Sequence, residues 1–215
     1  VIRSLPACLT LALLLLPAPA RARGASARLL YDAANSGYNG GNGLKTSSNI
    51  SGSLAWGESY IMMSYAAMFR GTGEAGYLVT LADHALHVLA QRDDNKKLRD
   101  YAGRSRPCWQ ATKYSTGGKP YCWVVHTGMI SYPMADLALL VQQNPALNTV
   151  KVPGGKTLAQ VRLQLRAEVE KSVATHDFQW RSGPGSGEGH YLGDPKATSV
   201  VSVAGKALPL NQMNA

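Results

Sequence analysis

The chain has 215 residues, enough for one ordinary domain with a real core, and its 45% hydrophobic and 16% charged content excludes a disordered chain. Its formal net charge of +9 favours an anionic partner, for which nucleic acid, anionic lipid and acidic polysaccharide all qualify. The cations are scattered, with Lys96 and Lys97 adjacent but no basic stripe, so nucleic acid is not the expected partner.

The opening residues predict export. Arg3 supplies a positive start, residues 9–16 an apolar run, and Ala18-Pro19-Ala20 a small-residue cleavage site. Together they read as a secretory signal peptide over 1–20, cut after Ala20, with Ala22 and Ala27 as later options. The apolar run is too short to span a bilayer, and Cys8 precedes it, so no membrane anchor is expected after cleavage. The expected location is secreted or periplasmic. Cleavage leaves Cys108 and Cys122, and an even pair in an exported chain most often forms a disulfide. That bond would close a loop of about 15 residues and contribute roughly 3 kcal/mol on the chain-entropy account. A zinc site is the alternative, but no His stands at the usual spacing, so neither metal nor cofactor is expected.

Residues 21–52 form a Gly/Asn-rich lead-in segment read as loop, with Gly37, Gly40, Gly41 and Gly43 beside Asn35, Asn39 and Asn42. It is either a flexible linker or a loop arching over a cleft. Ser47, Ser48, Asn49, Ser51 and Ser53 are candidate caps for the helix that follows. Residues 53–91 predict two helices. In the first, Ala55, Tyr60, Ile61, Met63, Tyr65, Ala67 and Met68 make an apolar surface almost all round, as in a helix buried on most sides. In the second, Leu78, Leu81, Ala82, Ala85, Leu86 and Leu89 recur as a single stripe, so it is amphipathic. Between them Gly71, Gly73 and Gly76 can end a helix in the left-handed conformation and reverse the chain.

Within this pair Thr72, Gly73, Tyr77, Leu78 and Ala82 form a turn-plus-helix that resembles the repeating hairpin of α/α-toroid (six-hairpin) carbohydrate-active proteins. The nearest likeness is to the C-terminal toroid of glucuronyl C5-epimerases and to toroidal polysaccharide lyases. It is a likeness of fold and carries no catalytic motif. It implies an all-α protein, a partial α/α toroid of about two helical hairpins over 53–215 with long loops on one rim.

Residues 93–125 are a long connection, charged and then aromatic. Trp109, Tyr114, Tyr121 and Trp123 argue against disorder there, and either stack on sugars or pack the loop onto the helices. A third helix over 127–143 is nearly as apolar as the first, with Pro133 placed in its first or second turn. Pro153, Gly154 and Gly155 break the chain before a fourth, amphipathic helix over 157–178, lined by Leu158, Val161, Leu165, Val169 and Val173. Residues 181–206 return to glycine-rich loop, and 208–215 read as the first turn of a fifth helix, as in a toroid truncated at its C-terminus.

In a two-layer toroid all inner helices point the same way, so their N-terminal ends share one rim. That rim would gather Trp56, Glu58, His126, Tyr132 and Asn211 with Trp109, Trp123, Arg181, Glu188, His190 and Tyr191 from the loops. The resemblance points to an acidic polysaccharide or oligosaccharide as partner. Removing the C5 proton of a uronic acid needs a base, here Glu58, His126, His190 or Tyr191. It also needs a cation or amide on the carboxylate, a role for Arg181, His190 or Asn211, while Trp56, Trp109, Trp123, Tyr132 and Glu188 would bind substrate. Epimerase and lyase share this step. A glycoside hydrolase would use two carboxylic acids, and a non-catalytic glycan-binding or cell-surface module would use the aromatics alone. His84 and His87, three residues apart on the second helix, read as surface or packing groups rather than ligands.

Overall fold

The computed structural model describes residues 20–198, 200–203 and 206–209, with side chains over 27–198. The leader expected over 1–20 lies outside the described residues apart from Ala20, and so does Asn211. The chain forms two compact units, residues 1–41 and 42–215. In the first, α1 (Ala20–Gly37) is a helix where the lead-in segment was read as loop. Its alanines, arginines and paired Leu29 and Leu30 are good helix formers, and of the glycines and asparagines that suggested a loop only Asn35 and Gly37 fall within it, at its C-terminal end.

The second unit is all-α apart from two small β-hairpins. A π-helical turn (Leu54–Glu58) runs into α2 (Ser59–Thr72), and α3 (Ala75–Ala90) follows after a tight reversal. Gly73 makes that reversal with φ 74°, its N–H bonding the Phe69 carbonyl at 2.8 Å. A short α4 (Asp93–Lys96) opens the long connection. Helices α5 (Val124–Gln143) and α6 (Leu158–Ala174) make the second hairpin. Thr157 and Gln160 form a reciprocal capping box at the start of α6.

The hairpins stand side by side and point the same way. Trp56 meets His126 where α2 and α5 begin, and further along the same two helices Arg70 pairs with Asp136. Between the second helices of the two hairpins, Arg92, just past α3, bonds Glu168 and Ser172 near the end of α6. Burial differs from the expected order within the first hairpin. Tyr60 on α2 is exposed, while α3 buries Leu78, Leu81, Ala82, His84, Ala85, Val88 and Leu89. The apolar perimeter of α2 is therefore half open, because among the described residues α3 and α5 cover only part of it. Helix α5 begins three residues earlier than expected, which leaves Pro133 in its interior, buried, with no N–H for the carbonyl of Met129. This helix is long and apolar enough to cross a membrane, yet 67% of that stretch is buried within the protein, as in a core helix.

Two further expectations are corrected after α6. Residues 181–206, read as loop, contain β1 (Trp180–Ser182) paired antiparallel with β2 (Gly189–Tyr191). The expected fifth helix is replaced over its first residues by strand: β3 (Val200–Val203) pairs with β4 (Lys206–Pro209), Leu208 opposite Val201. The β-branched Val200, Val201 and Val203 favour strand on the first arm, and Pro209 on its partner disfavours a helix interior.

Candidate functional site

The site is built where α2 and α5 begin. Asn49 lies on the segment before the π-helical turn and is buried. Its Oδ1 accepts from the N–H groups of Leu54 and Ala55, both at 3.2 Å, and so caps the helix. Those two donors fix the orientation of the amide. Its nitrogen must then donate, at 2.8 Å to the carbonyl of Trp109 and at 3.1 Å to Nδ1 of His126. An accepting Nδ1 makes His126 a neutral imidazole with its proton on Nε2. Burial acts in the same sense, pushing its pKa down to about 4. Among the described residues no group bonds Nε2.

Three aromatic rings surround this imidazole. Trp56 and Tyr114 meet it edge-on, each with ring centroids 5.5 Å away, and Trp123 is tilted at 6.3 Å. Trp56 and Tyr114 are 40% and 41% exposed, so each offers a free face to solvent. Gly52, at φ +84°, lets the two rings approach: a Cβ there would stand 2.7 Å from Trp56 Cδ1 and 3.1 Å from Tyr114. The Lys113 ammonium lies 5.6 Å from the Tyr114 ring centroid. Loop-to-loop hydrogen bonds hold the surroundings, Thr112 N–H to Ile50 O at 3.0 Å and Thr116 N–H to Ala197 O at 2.9 Å.

The other expected site residues lie elsewhere. Glu58 is fully buried and turned toward α3, its Oε1 2.6 Å from His84 Nδ1 and its Oε2 accepting from Leu44 N–H at 2.6 Å. Trp109 is in the core, donating from Nε1 to Val88 O at 2.9 Å. Trp123 belongs to a satellite core with Ala111, Tyr121 and Ala197, and its own Nε1 is buried without a partner among the described residues. Tyr132 is exposed on α5, nearer the Arg70–Asp136 pair. The last four share the β1–β2 hairpin. His190 stands opposite Arg181, whose guanidinium donates to the carbonyls of Phe178 and Trp180. Glu188 accepts from Gly185 N–H, and Tyr191 packs edge-on against Trp180. The structure thus joins His126 with Trp56 and Trp123, while Glu58 and the hairpin residues make separate contacts. Asn49 is the partner that sequence reasoning left out of the site, and Tyr114, read there as a sugar-stacking or packing ring, was not placed at the rim. Asn49 was visible as a cap candidate, but its bond to His126 spans 77 positions.

Cys108 and Cys122 form a disulfide, fitting an oxidising compartment. Asp93 brings a carboxylate oxygen within 4.8 Å of both sulfurs, but sulfurs bonded to each other are not thiolate ligands for a metal. Burial pushes the Asp93 carboxyl up to about 7, against the lowering effect of the Gln110 N–H bond. No protein-family model, no curated protein and no solved structure matches this chain.

Proposed function

We propose that this is an exported protein that engages acidic polysaccharide at the rim where α2 and α5 begin, on an arrangement of α/α-toroid type. The observation that carries the reading is the open ring pair, Trp56 and Tyr114, set around a neutral histidine. Sugar rings present C–H faces that pack on aromatic faces, and a uronate adds a carboxylate that needs donors. His126 Nε2–H is a donor and Lys113 is a nearby cation. The surplus of positive charge draws an acidic polymer to the molecule. The leader-like start and the disulfide support an extracytoplasmic location.

The enzymatic form of this reading is C5 proton abstraction of the epimerase or lyase type, with the proton passing to the side-chain oxygen of Tyr114, whose ring stands against His126. In it His126 is the group that stabilises charge on the carboxylate, not the base, because its Nδ1 lone pair is already taken by Asn49. Glu58, held between His84 and Leu44, is a structural group in this scheme.

The test is binding of heparosan, alginate and pectate oligomers to the protein, read by calorimetry and by indole fluorescence. Trp56→Ala and Tyr114→Ala should each weaken binding about tenfold, which corresponds to roughly 1.4 kcal/mol. Absence of binding to all three polymers removes the proposal. Isotope exchange at C5 and absorbance of an unsaturated product then separate an enzyme from a binding module.

A further inference from the structure

A second cavity, of about 230 Å³, opens beside the disulfide-stapled loop and is lined by Ser48, Asn49, Gln91, Asp93, Lys96 and Gln110, with Ile50 and Leu98 as apolar walls. Asn49 therefore belongs both to this cavity and to the His126 site. The wall contains an unmet demand. Gln110 is 6% exposed, and its Oε1 is buried without a hydrogen-bond partner among the described residues. Buried amide oxygens are nearly always bonded, so an orphan on a cavity-lining residue is a demand that a donor reaching in from the cavity meets once the amide turns toward it. The backbone N–H of Gln110 is already committed to the Asp93 carboxylate at 3.1 Å, which holds this residue in place.

The remaining lining narrows the ligand. Lys96 is exposed, and its ammonium makes no ion pair among the described residues. It supplies a positive charge at the same cavity as an acceptor that wants a hydroxyl. The volume falls below the roughly 300 Å³ at which pockets for drug-sized ligands begin, which limits the occupant to about one ring. Among the described residues no aromatic side chain lines the cavity, so a stacked nucleobase is not favoured, while Ile50 and Leu98 suit the C–H face of a sugar.

We propose that this cavity is a second saccharide subsite that takes a single uronate residue, a ring hydroxyl donating to Gln110 Oε1 and the carboxylate pairing with the Lys96 ammonium. The proposal rests on the reading of the protein as a binder of acidic glycan, and it adds a place for one sugar unit apart from the Trp56 and Tyr114 rim. Free monosaccharide and the end of a polymer share this chemistry.

The experiment is a nitrogen-15 correlation spectrum of the full chain, titrated with glucuronate, with glucose and with an oligouronate. The side-chain amide pair of Gln110 is assigned by its disappearance in Gln110→Leu, and the Trp56 indole N–H by its disappearance in Trp56→Phe. Glucuronate should shift the Gln110 amide saturably, with glucose and the Lys96→Gln variant each about tenfold weaker. Lys96 is exposed, so that variant keeps the fold. An unmoved Gln110 amide, or titration curves that coincide in Lys96→Gln and the parent, overturns the subsite. The oligouronate arm separates the two ideas: a shift at Trp56 without one at Gln110 sinks the subsite and leaves the rim reading standing. A Gln110 shift with Trp56 still supports the subsite and overturns the rim. If both stay still, both fail; saturable shifts at both support both.

Discussion

Asn49 uses both ends of its amide at once, and that double use decides the state of His126. Its oxygen caps a helix start and its nitrogen bonds Trp109 O and the imidazole, all in a buried setting. Removing the side chain leaves two backbone donors and one carbonyl inside the protein without partners. Each unmet buried group costs about 1–3 kcal/mol, partly relieved by water reaching the loop. Asn49→Ala should therefore lower stability by roughly 2–4 kcal/mol, checked by urea unfolding. The more discriminating variant is Asn49→Asp. A carboxylate there cannot donate to Nδ1, so the imidazole must turn its proton onto Nδ1 and lose the Nε2–H. Nitrogen-15 shifts of the ring report the change of tautomer directly, and unchanged shifts would refute the donor role given to His126.

Between elements, Arg92 ties the two hairpins together where α3 and α6 end. It is 2% exposed, yet its guanidinium reaches Asp94, the Glu168 carboxylate, the Glu168 carbonyl and Ser172. Cutting one partner from such a cluster strands the others, so Arg92→Ala should cost about 3 kcal/mol, measured by thermal or denaturant unfolding. Replacing Arg92 and Glu168 together by leucine should recover part of that loss, because the carboxylate then left without its partner is the more solvated Asp94. Helices of this kind were legible in the chain because their signals are local and repeated. The stripe of Leu78, Leu81, Ala82 and Ala85 and a left-handed glycine among Gly71, Gly73 and Gly76 read correctly from neighbours within four positions, whereas the equally local Thr157–Gln160 box went unread. What failed depended on distance. The half-open face of α2 follows from which helices cover it, and the strand at Leu208 follows from pairing with Val201. Trp56 and His126 were legible as a site because both begin helices. Their companions Asn49 and Tyr114 arrive on loops, where the sequence pattern carries no period.

For the whole molecule, the disulfide and the buried ionisable groups set how stability responds to solvent. Reduction of Cys108–Cys122 releases a loop spanning 14 positions and should cost about 3 kcal/mol, seen as a lower unfolding midpoint in reductant. The pH response is a contest between groups of opposite sign. Burial lowers both His126 and His176 from 6.5 to about 4, so the unfolded chain takes up their protons first as the pH falls. Their contribution is fully present above 6.5 and is lost as the pH drops toward 4. Asp93 does the reverse: raised from 3.8 to about 7, it stays protonated in the fold where the unfolded chain has already released the proton, so its contribution declines as the pH rises toward 7. Asp94, held by Arg92, and Asp100, held by Arg104 and Arg106, add repulsion that favours the neutral acid. Across the window shared by all three groups, two histidine protons oppose one carboxyl proton, and stability climbs by roughly 1.4 kcal/mol per pH unit from these groups alone. Asp93→Asn removes the opposing group while keeping an acceptor for Gln110 N–H, so its slope should be roughly twice as steep. The variant and the parent should agree below the window, under about pH 3, where Asp93 is neutral in both states. They should diverge upward until the variant leads by on the order of 4 kcal/mol above the folded pKa of Asp93. Every other titrating group is common to the two proteins and cancels in that difference. Urea unfolding midpoints that run parallel with pH would mean that Asp93 is ionised inside the fold and that burial does not govern its proton.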